Sequence, residues 1–233
     1  MNRKRLTEIF AVFGSIVLII VIFLSCIQFA AFDHDFYDKE YQELNTADTI
    51  GMSQQDLKYS TEQLLSYLNG NRDDIIFSAK IKGEVQQVFD IREIEHMKDV
   101  RKLFFAGISL RNTLVVVAFV LLALVWLMVR KKTVKYLAWG YLVGGLLFIV
   151  LLTIVGFAVS RDFNGFWNSM HMLIFDNKLW LLDPEKDVLI QMVPEEFFFD
   201  MVERIISIFG TIVGGMTLVS AAIAVWYRRE GGR

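Results

Sequence analysis

Residues 104–129 read FFAGISLRNTLVVVAFVLLALVWLMV, residues 130–135 read RKKTVK, and residues 136–159 read YLAWGYLVGGLLFIVLLTIVGFAV. Each flanking run is long enough to span a bilayer, which takes about 20 residues as a helix. In hydrocarbon every backbone amide and carbonyl must find its partner internally, so both runs read as helices joined by a short basic turn. Residues 9–32 and 205–227 have the same length and character. The fold expected is a mainly α membrane protein with four transmembrane helices. Arg3, Lys4 and Arg5 give the first run the start of a signal peptide. Its apolar stretch exceeds a signal core of about 7–15 residues and no small-x-small site follows, so it is kept as a helix.

Lysine and arginine placement sets the orientation. The N-terminal tail, the 130–135 turn and the tail at 228–233 hold ten basic residues against two acidic ones, Glu8 and Glu230. The loops at 33–103 and 160–203 carry twelve basic and twenty-four acidic residues. Both termini are therefore expected in the cytoplasm and both large loops outside. Five segments follow: a basic tail and first helix at 1–32, an extracytoplasmic cap at 33–103, two helices with a cytoplasmic turn at 104–159, a second outer loop at 160–204, and the last helix and tail at 205–233. Cys26, the only cysteine, lies deep in the first helix. It reads as an inert buried thiol rather than a lipoprotein-type processing site, because Phe23 stands where such a site typically has leucine.

The first outer loop is too long to be structureless. Ser53 before Gln54, Gln55 and Asp56 predicts a helix start and Gly70 its stop, with Leu57, Leu64, Leu65 and Leu68 on one face. Residues 74–81 and 84–91, joined by Lys82-Gly83, predict a β-hairpin that leads to Glu93, Glu95 and His96. The cap is thus a helix plus a hairpin. In the second loop Asp162 predicts an N-cap for a helix through Phe175. Phe163, Phe166, Trp167, Met170, Leu173 and Ile174 would share the face that lies along the membrane surface. Pro194-Glu195-Glu196 starts a last helix of about 34 residues, roughly 50 Å long, that carries Asp200 and Glu203 toward the cap. The run Phe197-Phe198-Phe199 reads as an interfacial anchor. Gly140-x-x-x-Gly144 and Gly210-x-x-x-Gly214 read as close packing within one bundle, with dimerisation the minority reading.

No serine nucleophile elbow, phosphate-binding glycine loop or His-Glu-x-x-His pair is present. What remains is acid–base chemistry. Histidine titrates near neutral pH, and His96 and His171 fall in loops on one side of the membrane. They suit an acyl transfer whose nucleophile belongs to the substrate, with a carboxylate such as Asp99 orienting its histidine. His34, between Asp33 and Asp35, reads as a headgroup-level filler. Two rival readings are a metal-dependent membrane hydrolase acting on lipid and a non-catalytic membrane sensor or partner-binding protein. The spacing of the histidines supplies no metal-ligand motif.

The segments Val88-Phe-Asp-Ile-Arg-Glu-Ile-Glu-His96-Met-Lys-Asp99-Val100, Phe166 through His171, Phe175, Asn177, Trp180-Leu-Leu-Asp183 and Asp187-Val-Leu-Ile-Gln-Met-Val-Pro-Glu-Glu-Phe197-Phe198 resemble the bacterial lipoprotein intramolecular transacylase (Lit) family. That family usually has a phenylalanine before its second histidine, where Met170 stands here. The resemblance implies an enzyme of the cell membrane whose partners are membrane lipid and a lipoprotein bearing a diacylglyceryl-cysteine. It implies transfer of the sn-2 acyl chain from the glycerol oxygen to the cysteine α-amine, which gives a lyso-form N-acyl lipoprotein. His96 and His171 are then the catalytic pair and Asp99, Asn177, Trp180 and Asp187 supporting residues; the sequence does not identify the oxyanion donor, for which Asn177 and Trp180 are candidates. No cofactor, metal or nucleic-acid partner is expected, and the sequence sets no oligomeric state.

Overall fold

The structure, a computed structural model, describes residues 2–230, and of Ala158, Val159 and Phe163 the backbone alone. The aromatic face expected to include Phe163, and the end of the basic tail at 231–233, lie to that extent outside the described residues. The chain is mainly helical. In order it forms α1 (Arg3–Ala31), α2 (His34–Glu43), α3 (Thr46–Ile50), α4 (Gln54–Leu68), β1 (Ser78–Ile81), β2 (Glu84–Gln87), α5 (Ile91–Val129), a 3-10 turn (Arg130–Lys132), α6 (Thr133–Arg161), α7 (Phe163–Ile174), α8 (Val188–Met192) and α9 (Glu195–Glu230). Three helical stretches among the described residues are long and apolar enough to cross a membrane: Arg3–Ala31, Ile91–Phe157 and Glu195–Glu230. The middle stretch joins the two runs that the sequence separates. The 3-10 turn interrupts it, with Arg130 at φ 42 in the left-handed region, where a non-glycine residue is uncommon.

The chain divides into two compact units, each described by itself. One comprises Met1–Ile27, Ile108–Phe166 and Ile205–Arg233. Its core gathers Ile19, Cys26, Tyr141, Phe209 and Val213, and the Tyr141 hydroxyl donates to the Val213 carbonyl at 2.9 Å. Cys26 is buried there as a free thiol. Gly140 lies so close to α1 that a Cβ would come within 2.5 Å of the Ala11 carbonyl carbon. The small-residue pattern of α6 therefore packs within the unit. The glycines of α9 face open space, with nothing within 4 Å of a Cβ at Gly210, Gly214 or Gly215. Val116, Phe119, Leu146 and Leu218 are exposed, the exterior that hydrocarbon accepts.

The other unit comprises Gln28–Gly107 and Trp167–Arg204. It joins the segment that follows the first long helix with the segment that precedes the last one in a single compact body. The Ser53 hydroxyl caps α4 by accepting the Asp56 amide at 3.0 Å, and Gly70, at φ +85, follows its end. Leu57, Leu64, Leu65 and Leu68 are buried as their spacing predicts. Lys82 (φ 51) and Gly83 (φ 91) form the two-residue turn, since both left-handed positions match the twist of the strands. The strands are four residues each rather than eight. Beyond the strands the Val88 amide still donates to the Phe77 carbonyl at 3.1 Å, Ile75, Phe77, Val88 and Phe89 are buried in the core, and the chain then turns into α5.

That helix begins at Ile91, so Glu93, Glu95, His96 and Asp99 occupy its first turns rather than a loop before it. Arg92, Glu93, Glu95, Lys98, Asp99, Arg101 and Lys102 crowd those turns, and the part apolar enough to cross a membrane starts near residue 104. α2 and α3 were not expected. The buried Phe36, Tyr37 and Tyr41 of α2 surround Phe197, with ring centroids at 5.3, 5.0 and 6.0 Å. The interfacial-anchor reading therefore fails for Phe197, which is a core residue 1 % exposed. Phe198 packs against Trp167 with ring centroids 4.3 Å apart and planes tilted by 47°, and only Phe199 of the three is half exposed.

Candidate active site

α5 opens with a reciprocal cap. The Glu93 amide donates to Asp90 Oδ1 at 2.8 Å and the Asp90 amide donates to Glu93 Oε2 at 2.6 Å, which satisfies two amides left without helical partners. The second Glu93 oxygen, Oε1, accepts the Leu189 amide at 2.6 Å, from the first turn of α8. Asp187 is the N-cap residue of that helix without a side-chain cap bond, and its Oδ2 accepts the Asp183 amide at 2.6 Å. Asp90, Glu93 and Asp187 bring carboxylate oxygens within 4.8 Å of one another, close enough for a cation, but each already serves a backbone amide. Burial pushes the Glu93 carboxyl up to about 7 against the pull of its two amide donors.

One turn further along α5, His96 meets His171 of α7, with ring centroids 6.3 Å apart and planes tilted by 40°. Both are buried, at 8 % and 6 % exposure. Phe175 lies against the two rings, at 5.4 Å from His96 and 5.7 Å from His171. His171 is also flanked by Trp167 at 4.4 Å and Trp180 at 4.9 Å. The Trp167 carbonyl lies 2.8 Å from His171 Nδ1. A carbonyl can only accept, so Nδ1 carries the proton of the neutral ring and Nε2 keeps a lone pair. His96 Nδ1 is buried and has no hydrogen-bond partner among the described residues.

Burial lowers the His96 pKa to about 4, with His171 adding to the effect and Asp99 opposing it. Burial also lowers His171, against the Trp167 hydrogen bond. Two neutral imidazoles at neutral pH can take up a proton released by a bound nucleophile, and burial makes either cation a ready donor.

The other expected residues are distributed as follows. Asp99, one turn beyond His96, accepts from Lys102 Nζ at 2.9 Å and Asn177 Nδ2 at 2.8 Å, which hold its carboxyl below the usual range. Its hydrogen bonds run to these groups, and it acts on His96 through charge. Asn177 Oδ1 accepts the Leu179 amide, and Trp180 Nε1 donates to the Asn177 carbonyl at 3.0 Å. Asp187 belongs to the carboxylate knot around Glu93. His34 is exposed at the head of α2. Asp99, Lys102, Leu103, Phe175 and Asn177 line a groove of about 340 Å³. Sequence reasoning missed Phe175, although it stands four residues after His171 as Trp167 stands four before. It also missed the Asp90-x-x-Glu93 cap.

The model of the lipoprotein intramolecular transacylase Lit family matches residues 12–198. No curated protein matches the chain. Among solved structures, an in meso structure of the membrane integral lipoprotein intramolecular transacylase Lit from Bacillus cereus is similar with a TM-score of 0.72 and 19 % identity, over 97 % of this chain and 96 % of that one. A variant of that protein with one histidine changed to arginine gives a TM-score of 0.71 at 18 % identity, over 98 % and 94 %. A histidine-to-alanine variant gives 0.68 at 18 %, over 97 % and 94 %. At this identity the likeness is one of fold, and the family model carries the assignment. The chain belongs to the lipoprotein intramolecular transacylase (Lit) family and is an acyltransferase.

Proposed function

We propose that His96 and His171 catalyse an O-to-N acyl shift on the diacylglyceryl-cysteine of a lipoprotein. The observation that carries this reading is the buried pair of neutral imidazoles 6.3 Å apart. The α-amine, with an ordinary pKa of about 7.7–8.0, attacks the sn-2 ester carbonyl after losing a proton. His171 Nε2, the lone pair left by the Trp167 hydrogen bond, takes a proton from the attacking nitrogen. The C–N bond forms, the C–O bond to glycerol breaks, and the imidazolium returns the proton to the departing alkoxide. Amine and ester sit on one substrate molecule, so the effective molarity is high and no external acyl donor is required. Asp99 raises the proton affinity of its neighbour His96. The amide hydrogens of Asn177 and the indole N–H of Trp180 serve as oxyanion donors once substrate replaces their present partners, and Asp187 secures the loop that bears them.

On this reading the 67-residue stretch Ile91–Phe157 crosses the membrane twice, turning at the basic Arg130–Lys132 segment, for four crossings in all. Both termini face the cytoplasm of a bacterial cell, and His96 and His171 lie on the extracytoplasmic side. The test is the N-terminal lipid structure of lipoproteins from cells that express His96→Ala or His171→Ala. Both variants are expected to leave the diacylglyceryl form, seen by mass spectrometry of N-terminal peptides. Full lyso-form production by either variant would remove that histidine from the mechanism.

A further inference from the structure

We propose that Glu93 is a positioning residue that sets the spacing of the His96–His171 pair by tying the start of α5 to the start of α8. This rests on the acyl-transfer reading above. Glu93 is 2 % exposed and spends both carboxylate oxygens on backbone amides, one local and one 96 residues away. His96 follows it by three residues, on the same face of the helix. The chain held by the far bond runs from His171 to Leu189 and carries Phe175, Asn177 and Trp180. Phe175 and Trp180 pack on the imidazoles, and Asn177 bonds Asp99. Arg92 adds a second tie across the same gap, donating to the Lys178 carbonyl at 3.0 Å. Glu93 thus holds one histidine through its own helix and the surroundings of the other through the loop.

A buried carboxylate is a costly way to gain stability, since desolvation offsets much of what its hydrogen bonds return. The burial that lifts the Glu93 carboxyl to about 7 is that cost, and a fixed geometry at the neighbouring histidines accounts for its retention.

The test compares Glu93→Gln with Leu57→Ala, a core truncation in α4, in the full chain in detergent micelles. The substrate is a lipopeptide with a diacylglyceryl-cysteine and a free α-amine. Gln keeps the side-chain volume but turns an amide nitrogen toward one of the two backbone donors. A displacement near 1 Å costs on the order of 100-fold in rate, so kcat is expected to fall about 10- to 100-fold with KM within about twofold. The imidazole nitrogen NMR signals of His96 and His171 should both move, with exposed His34 as internal reference. Leu57→Ala should lower thermal stability and change neither kcat nor those signals. Glu93→Asp, which keeps the charge but shortens the reach, should shift the same two signals and gives a second reading if the Gln variant folds poorly. Kinetics and histidine signals in the Glu93 variants that match Leu57→Ala would overturn the proposal. No turnover by the unaltered chain would overturn the acyl-transfer reading instead, and the histidine signals would still decide the positioning role.

Discussion

Glu93 and His96 make opposite contributions to stability in the same pH window, so removing either one should expose the other. The Glu93 carboxyl rises from 4.5 to about 7 in the folded chain. Between those values the folded state keeps a proton that the unfolded state releases, so this contribution is full below 4.5 and is lost as pH rises toward 7. His96 falls from 6.5 to about 4. Its contribution is full above 6.5 and is lost as pH drops toward 4, because the unfolded ring takes a proton that the folded one refuses. One pKa unit corresponds to about 1.4 kcal/mol, so each group is worth about 3 kcal/mol across its window. His171, also lowered, acts in the same sense as His96. Thermal unfolding in micelles at several values between about pH 4.5 and pH 7 measures the balance. Glu93→Gln should grow more stable as pH rises through this range, and His96→Gln should show a more negative slope than the unaltered chain. The difference between the two variants should reach several degrees in midpoint. Parallel pH profiles for Glu93→Gln and the unaltered chain would refute the reasoning.

Two further substitutions probe the frame around the site. Phe197→Ala removes the ring enclosed by Phe36, Tyr37 and Tyr41 and should destabilise by about 3–5 kcal/mol, read as a lower unfolding midpoint; a loss under about 1 kcal/mol would show that the hub carries little. Gly140→Ala puts a methyl group against the Ala11 backbone and should cost about 1–3 kcal/mol by forcing α1 and α6 apart. Gly214→Ala, in open space, serves as its control and should leave the midpoint unchanged in the same thermal assay.

What could be read before the structure follows from the range of each signal. Apolar runs announce themselves by length, and the hairpin and α4 carry their punctuation locally in Lys82-Gly83, Ser53 and Gly70. α2 did not, because Phe36, Tyr37 and Tyr41 owe their burial to Phe197, far along the chain. The α5 start was readable in Asp90-x-x-Glu93, yet the β-branched and aromatic residues before it favoured a strand up to residue 91. At the site, the chemistry of histidine singled out His96 and His171. Their meeting depends on contacts between distant segments, which no local pattern encodes. Trp167, four residues before His171, was read as part of a membrane-facing stripe, and Phe175, four after, was read only as the end of that helix and as part of the family resemblance. Asp99 came out of the triad analogy as an orienting hydrogen-bond partner, whereas Lys102 and Asn177 take its oxygens.

The long-range closure of the second unit also has a consequence in time. Glu93 leaves the ribosome 96 residues before the Leu189 amide that it accepts, and Phe36, Tyr37 and Tyr41 emerge earlier still than Phe197. At about 5–20 residues per second, the nascent chain holds an unmatched carboxylate for roughly 5–20 s and an open aromatic surface for roughly 8–30 s. During that interval the segments at 108–166 are still being made, so the site cannot act on passing lipid before synthesis is nearly complete. Biogenesis of this protein therefore includes a waiting period in which Phe36, Tyr37 and Tyr41 lack the ring that they later enclose.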